Sequence, residues 1–306
     1  MRIIFMGTPD FAVASLRALL EAGENVVAVV TAPDKPAGRG QKLHQSPVKI
    51  FAEAHALPVL QPEKLKNIEF IDMLRSFKAD LQVVVAFRML PEVVWNMPSL
   101  GTINVHASLL PQYRGAAPIN HAIINGEKES GVTTFLLQHE IDTGNILLSE
   151  NITIDEKDNA GSLHDKLMKA GANTLIKTIQ KLKSNSLRPM PQKDVVETQL
   201  KHAPKIFKDD CLIDWNSDIQ TIYNKIRGLS PYPAAFTYFD KKVLKIYEVE
   251  KERKSPPPQP GSYETDGKSY LKFSGNDGLL SVKQLQLEGK KKMSIEEFLR
   301  GYRFED

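Results

Sequence analysis

The chain has 306 residues, 42% hydrophobic and 25% charged, with a formal net charge of +3. Such a composition belongs to a globular protein whose core is large enough for two domains, and no apolar run approaches the roughly 20 residues that span a bilayer, so no membrane partner is expected. Cys211 is the one cysteine, which excludes an internal disulfide and a thiolate metal cluster and fits a reducing cytoplasm.

Arg2 to Met6 form a short apolar run. It reads as a first strand, because a secretory leader needs a longer apolar region and a small-residue cleavage site. Gly7-Thr8-Pro9-Asp10 then opens a helix through Phe11, Leu16, Leu19 and Leu20. Thr8 is the expected N-cap, with Pro9 at the first helical position and Asp10 favoured by the helix dipole. Val26 to Val30 make a second strand, and Ser46-Pro47 repeats the cap logic for a helix over Ile50 to His55. Leu81 to Ala86 is nearly all apolar, as in a strand buried on both faces. Strands follow at 102–106, 131–137 and 146–150, and a long amphipathic helix at about Ala160 to Lys183. This alternation predicts an α/β fold, a Rossmann-like, mostly parallel sheet with helices on both faces.

From Ser184 to Lys208 the pattern fails, with Pro189, Pro191 and Pro204 punctuating a polar stretch that reads as a linker. Beyond it, a helix near Ile219–Gly228 precedes short strands around 235–239, 243–250, 269–273 and 279–287. Turn signals separate them at Pro256-Pro257-Pro258, Pro260-Gly261 and Asn276-Asp277-Gly278. Short strands at that spacing predict a small C-terminal β-barrel of the oligonucleotide-binding (OB-like) type. The expected organisation is a catalytic domain over 1–188, a linker over 189–207 and the β domain over 208–306. The first 186 residues carry 19 basic against 19 acidic side chains, and the rest 21 against 18. The positive excess therefore lies in the C-terminal third.

The first strand–helix turn, Gly7 to Ala12, has one glycine followed by a proline and an acid. A dinucleotide fingerprint needs three glycines there so that backbone can approach a pyrophosphate, and a carboxylate repels it. No NAD or FAD is expected, and no phosphate-binding P-loop or nucleophile elbow occurs. Histidines at 44, 55, 106, 121, 139, 164 and 202 show no tight ligand spacing, so no metal is expected. Cys211 reads as a small packed apolar residue.

Asn104 and His106 stand two apart on a strand, so they share a face. They lie at a strand's carboxyl end, where a parallel α/β sheet places its ligand site. Asp142, in Ile141-Asp142-Thr143-Gly144 after another strand, adds a carboxylate. Residue types leave two readings open. Either an amide, an imidazole and a carboxylate converge at one sheet edge, or Asn104 and His106 are satisfied core polars and Asp142 caps a turn. The segment 32–49 is too long for a tight connection. Its Lys35, Arg39, Lys42 and Lys49 oppose a single acid, Asp34. It is either a solvated excursion or an arm that reaches an RNA backbone. Lys290-Lys291-Lys292 carries the same two readings.

These residues, taken together, resemble the folate-dependent formyltransferases. The resemblance rests on Asn104-x-His106, Ser108-Leu109-Leu110-Pro111, Arg114-Gly115-Ala116-Ala117-Pro118 and Asp142-Thr143-Gly144. Pro33-Asp34-Lys35-Pro36-Ala37-Gly38-Arg39-Gly40, Ser46-Pro47-Val48-Lys49, Ile213-Asp214-Trp215, Pro231-Tyr232-Pro233 and Gly289-Lys290-Lys291-Lys292-Met293 extend it along nearly the whole chain. The basic segment and the second domain point to the branch that formylates methionyl initiator tRNA. Ala107, Thr102 and Phe87-Arg88 depart from the family's usual residues.

The resemblance implies transfer of a formyl group from 10-formyltetrahydrofolate, as co-substrate, to the α-amine of methionine on initiator tRNA for translation initiation. Asn104, His106 and Asp142 would be catalytic. Ser108, Leu109, Leu110 and Pro111 would line the folate site, with Leu90 and Val94 flanking the pterin. Arg39 and Lys42 would contact the acceptor end of the tRNA, and the protein would act as a cytoplasmic monomer. The rivals are a formyltransferase for a small amine, such as glycinamide ribonucleotide or an amino-sugar nucleotide, and a non-catalytic RNA-binding protein on the same fold.

Overall fold

The structure, a computed structural model, describes residues 1–37, 42–192 and 199–303. They group into two compact units, one of residues 1–115, 130–153 and 164–202 and one of residues 116–129, 154–163 and 203–303.

In the first unit, strands β1 (Arg2–Gly7), β2 (Asn25–Val30), β5 (Val59–Leu60), β6 (Leu81–Val85), β7 (Thr102–His106), β8 (Glu129–Leu136) and β9 (Ile146–Thr153) form one sheet in the order β5-β2-β1-β6-β7-β8-β9. Pairing is parallel from β5 through β7 and antiparallel between β7 and β8. The sheet is thus mostly parallel, as the alternation predicts. Side chains of β1 are buried on both faces. Ile4 and Met6 join Val84, Phe70, Leu74 and Val94 in one cluster, while Ile3 and Phe5 are fully buried on the other side. A strand covered on both faces has no polar alternation to show, which is why these strands read as continuous apolar runs.

Helix α1 (Asp10–Glu21) starts one residue later than expected. Pro9, not Thr8, is the cap residue, and its carbonyl accepts from Ala12 N at 2.9 Å with no side-chain cap bond. Pro9 has φ −82° and ψ 176°, an extended conformation that leaves it just outside the helix. By contrast, Ser46 caps α2 (Pro47–Ala54) as predicted, its hydroxyl accepting from Lys49 N at 3.1 Å with Pro47 in the first turn. Helix α6 (Ala160–Lys183) packs closely on the sheet, and a Cβ built at Gly171 would lie 3.2 Å from Val105 Cγ1. The polar stretch after α6 does not leave this unit at once. Met190 and Ile146 exchange both backbone hydrogen bonds at 2.8 Å, and Tyr113 N donates to Lys201 O at 2.6 Å.

The second unit contains β10 (Ala235–Phe239), β11 (Lys242–Arg253), β12 (Tyr263–Thr265), β13 (Leu271–Ser274) and β14 (Gly278–Leu287) in antiparallel order β10-β11-β14-β13-β12. Strand β15 (Met293–Ser294) pairs with β14 and leads into α8 (Ile295–Gly301), which carries a capping box from Ser294 and Glu297. Helix α7 (Ile219–Leu229) shares this sheet's core through Ile219, Ile222 and Ile226. No ladder joins β10 to β12 among the described residues; their rings meet instead, Phe239 lying 5.0 Å from Tyr263. Cys211 is buried in the same core, and burial pushes its thiol up, in keeping with a packing role.

No helix among the described residues is long and apolar enough to cross a membrane.

Candidate active site

Strand β7 runs between β6 and β8, so its alternate residues face two different environments. Ile103 and Val105 are buried in the core, and the opposite face carries Asn104 in register with Val84, then His106. The polar pair therefore shares one face at the strand's carboxyl end. Asn104 is half-buried, and among the described residues its amide has no hydrogen-bond partner. His106 is only 7% exposed, with its ring edge-on to Phe135.

One nitrogen of His106 is committed to the fold. Nε2 lies 2.9 Å from the Tyr113 carbonyl oxygen. A carbonyl can only accept, so Nε2 carries a hydrogen and Nδ1 is the nitrogen left for chemistry. Nδ1 stands 3.8 Å from Asp142 Oδ2, with both side chains nearly buried. That is beyond hydrogen-bond length, and the carboxylate faces the ring nitrogen that Tyr113 leaves free.

Asp142 reaches the imidazole by an unexpected route. Strand β8 is antiparallel to β7, with Thr133 opposite His106 and Leu136 opposite Ile103. Its carboxyl end therefore points away from the carboxyl end of β7, and the segment 137–145 must fold back. Gly144 permits this, because a Cβ there would lie 1.6 Å from Leu136 O. Asp142 itself has φ 56°, a left-handed conformation costly for a non-glycine residue. Its Oδ2 accepts from Gly115 N at 3.0 Å, and Gln192 Nε2 donates to Asp142 O at 2.7 Å and Gly144 O at 2.9 Å.

The run-out of β7 is anchored as firmly. Thr133 Oγ1 donates to Ser108 O at 2.7 Å and accepts from Leu110 N at 3.2 Å, while Ser108 Oγ donates to Gln112 O at 2.7 Å. Ser108 and Leu110 are buried, whereas Leu109 and Pro111 are half-buried. Leu90 and Val94 belong to the apolar cluster with Met6 and Val84, so their side chains face the core. Arg88 Nη1 donates to Glu63 O at 2.8 Å.

The basic segment is a short hairpin, β3 (Lys35–Ala37) paired with β4 (Lys42–His44). Arg39 lies outside the described residues, and Lys42 is placed at the start of β4 by its backbone. Lys49 has a different place from its sequence neighbours. Its Nζ lies 2.5 Å from Asp34 Oδ2, while Gln61 Nε2 donates to Asp34 Oδ1 at 2.7 Å and Ala32 O at 2.9 Å. This cluster ties together the two stems of the hairpin. The Lys49 ammonium and the Gln61 amide hold the Asp34 carboxyl below its ordinary value of 3.8. A depressed folded-state value contributes stability above the unfolded value and loses it as pH falls through the folded one. Asp34→Asn is accordingly expected to lower urea stability at pH 7, with the gap from wild type narrowing below pH 3.8. A gap independent of pH would contradict this.

A cavity of about 450 Å³ lies in the second unit, lined by Ile124, Ile206, Ile222 and Leu229 together with Lys225 and Asp214. Lys225 Nζ donates to Leu212 O at 2.6 Å, and burial lowers its pKa. Lys292 Nζ sits 4.5 Å from the Tyr247 ring centroid, a cation–π contact.

Asn104 and His106 share one strand face and Asp142 meets the imidazole, as the sequence leads one to expect, whereas Tyr113, Gly115, Thr133 and Gln192, which anchor them, carry no such sequence signal. Tyr113 and Gly115 act through main-chain groups, which leave no side-chain signal. Gln192 sits in the proline-punctuated stretch read as a linker.

Residues 1–179 match a family model described as formyl transferase, and 205–303 one described as formyl transferase, C-terminal domain. The methionyl-tRNA formyltransferase of Bacteroides thetaiotaomicron is 54% identical over 312 aligned residues, spanning 100% of this chain and 97% of that protein. Among solved structures, WlaRD, a sugar 3N-formyl transferase in the presence of dTDP and 5-N-formyl-THF, is similar with a TM-score of 0.68 and 23% identity, over 95% of this chain and 99% of its own. HypX from Aquifex aeolicus, in complex with tetrahydrofolic acid, has a TM-score of 0.67 and 19% identity over 98% of this chain, which spans 48% of HypX. At those identities the two structures establish a shared fold.

Proposed function

The chain belongs to the methionyl-tRNA formyltransferase family, and from that premise we propose that it moves the formyl group of 10-formyltetrahydrofolate to the α-amine of methionine on initiator tRNA, with Asn104, His106 and Asp142 as catalytic residues. One observation carries this reading. A half-buried amide with no partner among the described residues shares a strand face with an imidazole whose Nδ1 faces a carboxylate.

The neutral amine attacks the formyl carbon, forming a C–N bond and a tetrahedral oxyanion. That oxygen needs donors already in place, because donors that must reorient give back much of their benefit. Asn104 supplies one from its amide. His106, when protonated at Nδ1, supplies a positive charge on the other side. The attacking nitrogen must lose a proton, and His106 Nδ1 with Asp142 is the base within reach. The bond to N10 of the folate then breaks, N10 takes up a proton, and the oxyanion collapses to the formamide. Tyr113 O keeps the imidazole oriented through Nε2, and Asp142 stabilises the cation formed when Nδ1 takes up the proton.

Leu109 and Pro111 offer half-buried apolar surface to the folate, while Ser108, Leu110 and Leu90 shape that wall from behind. Arg39 and Lys42 contact the acceptor end of the tRNA. Residues 1–188 act as the catalytic domain and 208–306 as the tRNA-gripping domain, joined by 189–207. A monomer in the cytoplasm is part of the same proposal; the lone buried cysteine fits that reducing compartment.

The direct test incubates the protein with 10-formyltetrahydrofolate and methionyl initiator tRNA, glycinamide ribonucleotide or no acceptor. Formyl transfer is expected with the tRNA and not with the nucleotide; the reverse pattern would assign the small-amine activity instead. Replacing Arg39 and Lys42 with Ala should raise the tRNA KM on the order of 10-fold per cation and flatten its salt dependence. Folate affinity should hold, and an unchanged tRNA KM would remove the hairpin from the interface.

A further inference from the structure

We propose that Gln192 is a positioning residue for this reaction, acting through the backbone of the loop that carries Asp142. The proposal rests on the catalytic reading of Asp142 given above. Gln192 spends its whole polar capacity on one task. Its Nε2 donates to both Asp142 O and Gly144 O, at 2.7 and 2.9 Å, while its Oε1 accepts from Arg114 Nε at 3.1 Å and from Arg114 Nη2. Turning the amide over would set its NH₂ against guanidinium donors and its oxygen against carbonyls. Arg114 therefore selects the orientation that grips the loop.

The same tripeptide serves every member of the pair. Tyr113 O accepts from His106 Nε2, the Arg114 guanidinium orients Gln192, and Gly115 N donates to Asp142 Oδ2. One short segment thus sets the imidazole directly, the carboxylate directly, and the carboxylate's backbone through Gln192. Tyr113 has φ 60° and Asp142 has φ 56°. Non-glycine residues persist there only where their surroundings over-determine them. Without the Gln192 donors, two loop carbonyls lose their partner and Asp142 is free to relax, carrying its carboxylate away from Nδ1.

The test measures single-turnover formyl transfer for Gln192→Met, similar in length but apolar, and Gln192→Glu, which still accepts from Arg114 but cannot donate to the loop. Each is made in the wild-type and the Asp142→Ala background, with thermal unfolding followed in parallel. Both substitutions are expected to lower the wild-type rate on the order of 10–100-fold, the scale of a misplacement near 1 Å, with little change in either KM. In the Asp142→Ala background the same substitutions should cost less than about 3-fold, because residues acting as a unit are not additive. Equal losses in both backgrounds would assign Gln192 a general structural role and overturn the proposal, as would no loss in the wild-type background. If Asp142→Ala by itself kept the wild-type rate, the catalytic reading would fail first, visibly and without any Gln192 variant. Should Gln192→Met fold poorly, Gln192→Glu carries the same comparison.

Discussion

Asn104→Ala is expected to lower single-turnover formyl transfer on the order of 10²–10³-fold, the usual loss for one oxyanion donor, while leaving urea stability almost unchanged. The two halves of that expectation come from the same fact. The Asn104 amide has no partner among the described residues, so its removal strands no buried group and opens little of the core. An amide with no hydrogen bond in the ground-state fold, at the carboxyl end of its strand, is free to donate to a transition state. His106→Ala and Asp142→Ala should lose rate on a similar scale, but with an added stability cost. His106 leaves the Tyr113 carbonyl without its donor, and Asp142 leaves the Gly115 amide without its acceptor. On the proposed mechanism the three act as a unit, so combining the substitutions is expected to cost less than the product of the single losses. Near wild-type rates for each single variant would refute the assignment.

Gly144→Ala should be the most damaging small substitution in the loop, costing about 3 kcal/mol of stability at the upper end of overpacking effects and most of the activity. The added Cβ would stand 1.6 Å from Leu136 O and 2.9 Å from Leu136 C. These are backbone atoms of β8, so no side-chain rotation relieves the clash. Leu136 N also donates to Asn145 O at 3.0 Å, which ties the glycine's neighbour to the same strand. The loop has to move, and Asp142 is two residues away. Asn145→Ala, at an exposed position one residue on, is the control and should stay within about 0.5 kcal/mol of wild type. Urea unfolding and single-turnover rate check both parts; a stable, active Gly144→Ala would mean the loop tolerates a different path.

Much of this site was legible in the chain's pattern. Asn104 and His106 interrupt an apolar strand at a spacing that leaves only one face for them, and two-residue periodicity holds in any sheet. The cap at Ser46-Pro47 and the extent of α6 were legible for the same local reason. Other features depend on more than the local residue pattern. Pro9 rather than Thr8 caps α1, because the backbone leaving β1 stays extended one residue further. Leu90 faces the core cluster with Met6 and Val84, a choice of side that a short irregular segment after β6 does not encode. Lys49, counted with a basic arm, is bound to Asp34, whose other carboxylate oxygen accepts from Gln61, 27 residues away in sequence. The ends of the basic segment pair with each other, β3 with β4, which its residue types do not announce.

The sequence by itself determined the alternation of strands and helices, the polar pair on β7, and the glycine that a tight return needs, because periodicity and residue chemistry act over a few neighbours. Tertiary structure decided how Asp142 meets His106. Strand β8 turned out antiparallel, so its end lies beside Ile103 rather than His106, and the carboxylate arrives on a loop folded back across that distance. What holds it there is the Gly115 amide and the Gln192 side chain. A main-chain donor leaves no trace in residue type, and a glutamine 50 positions downstream becomes a neighbour only once the chain has closed on itself.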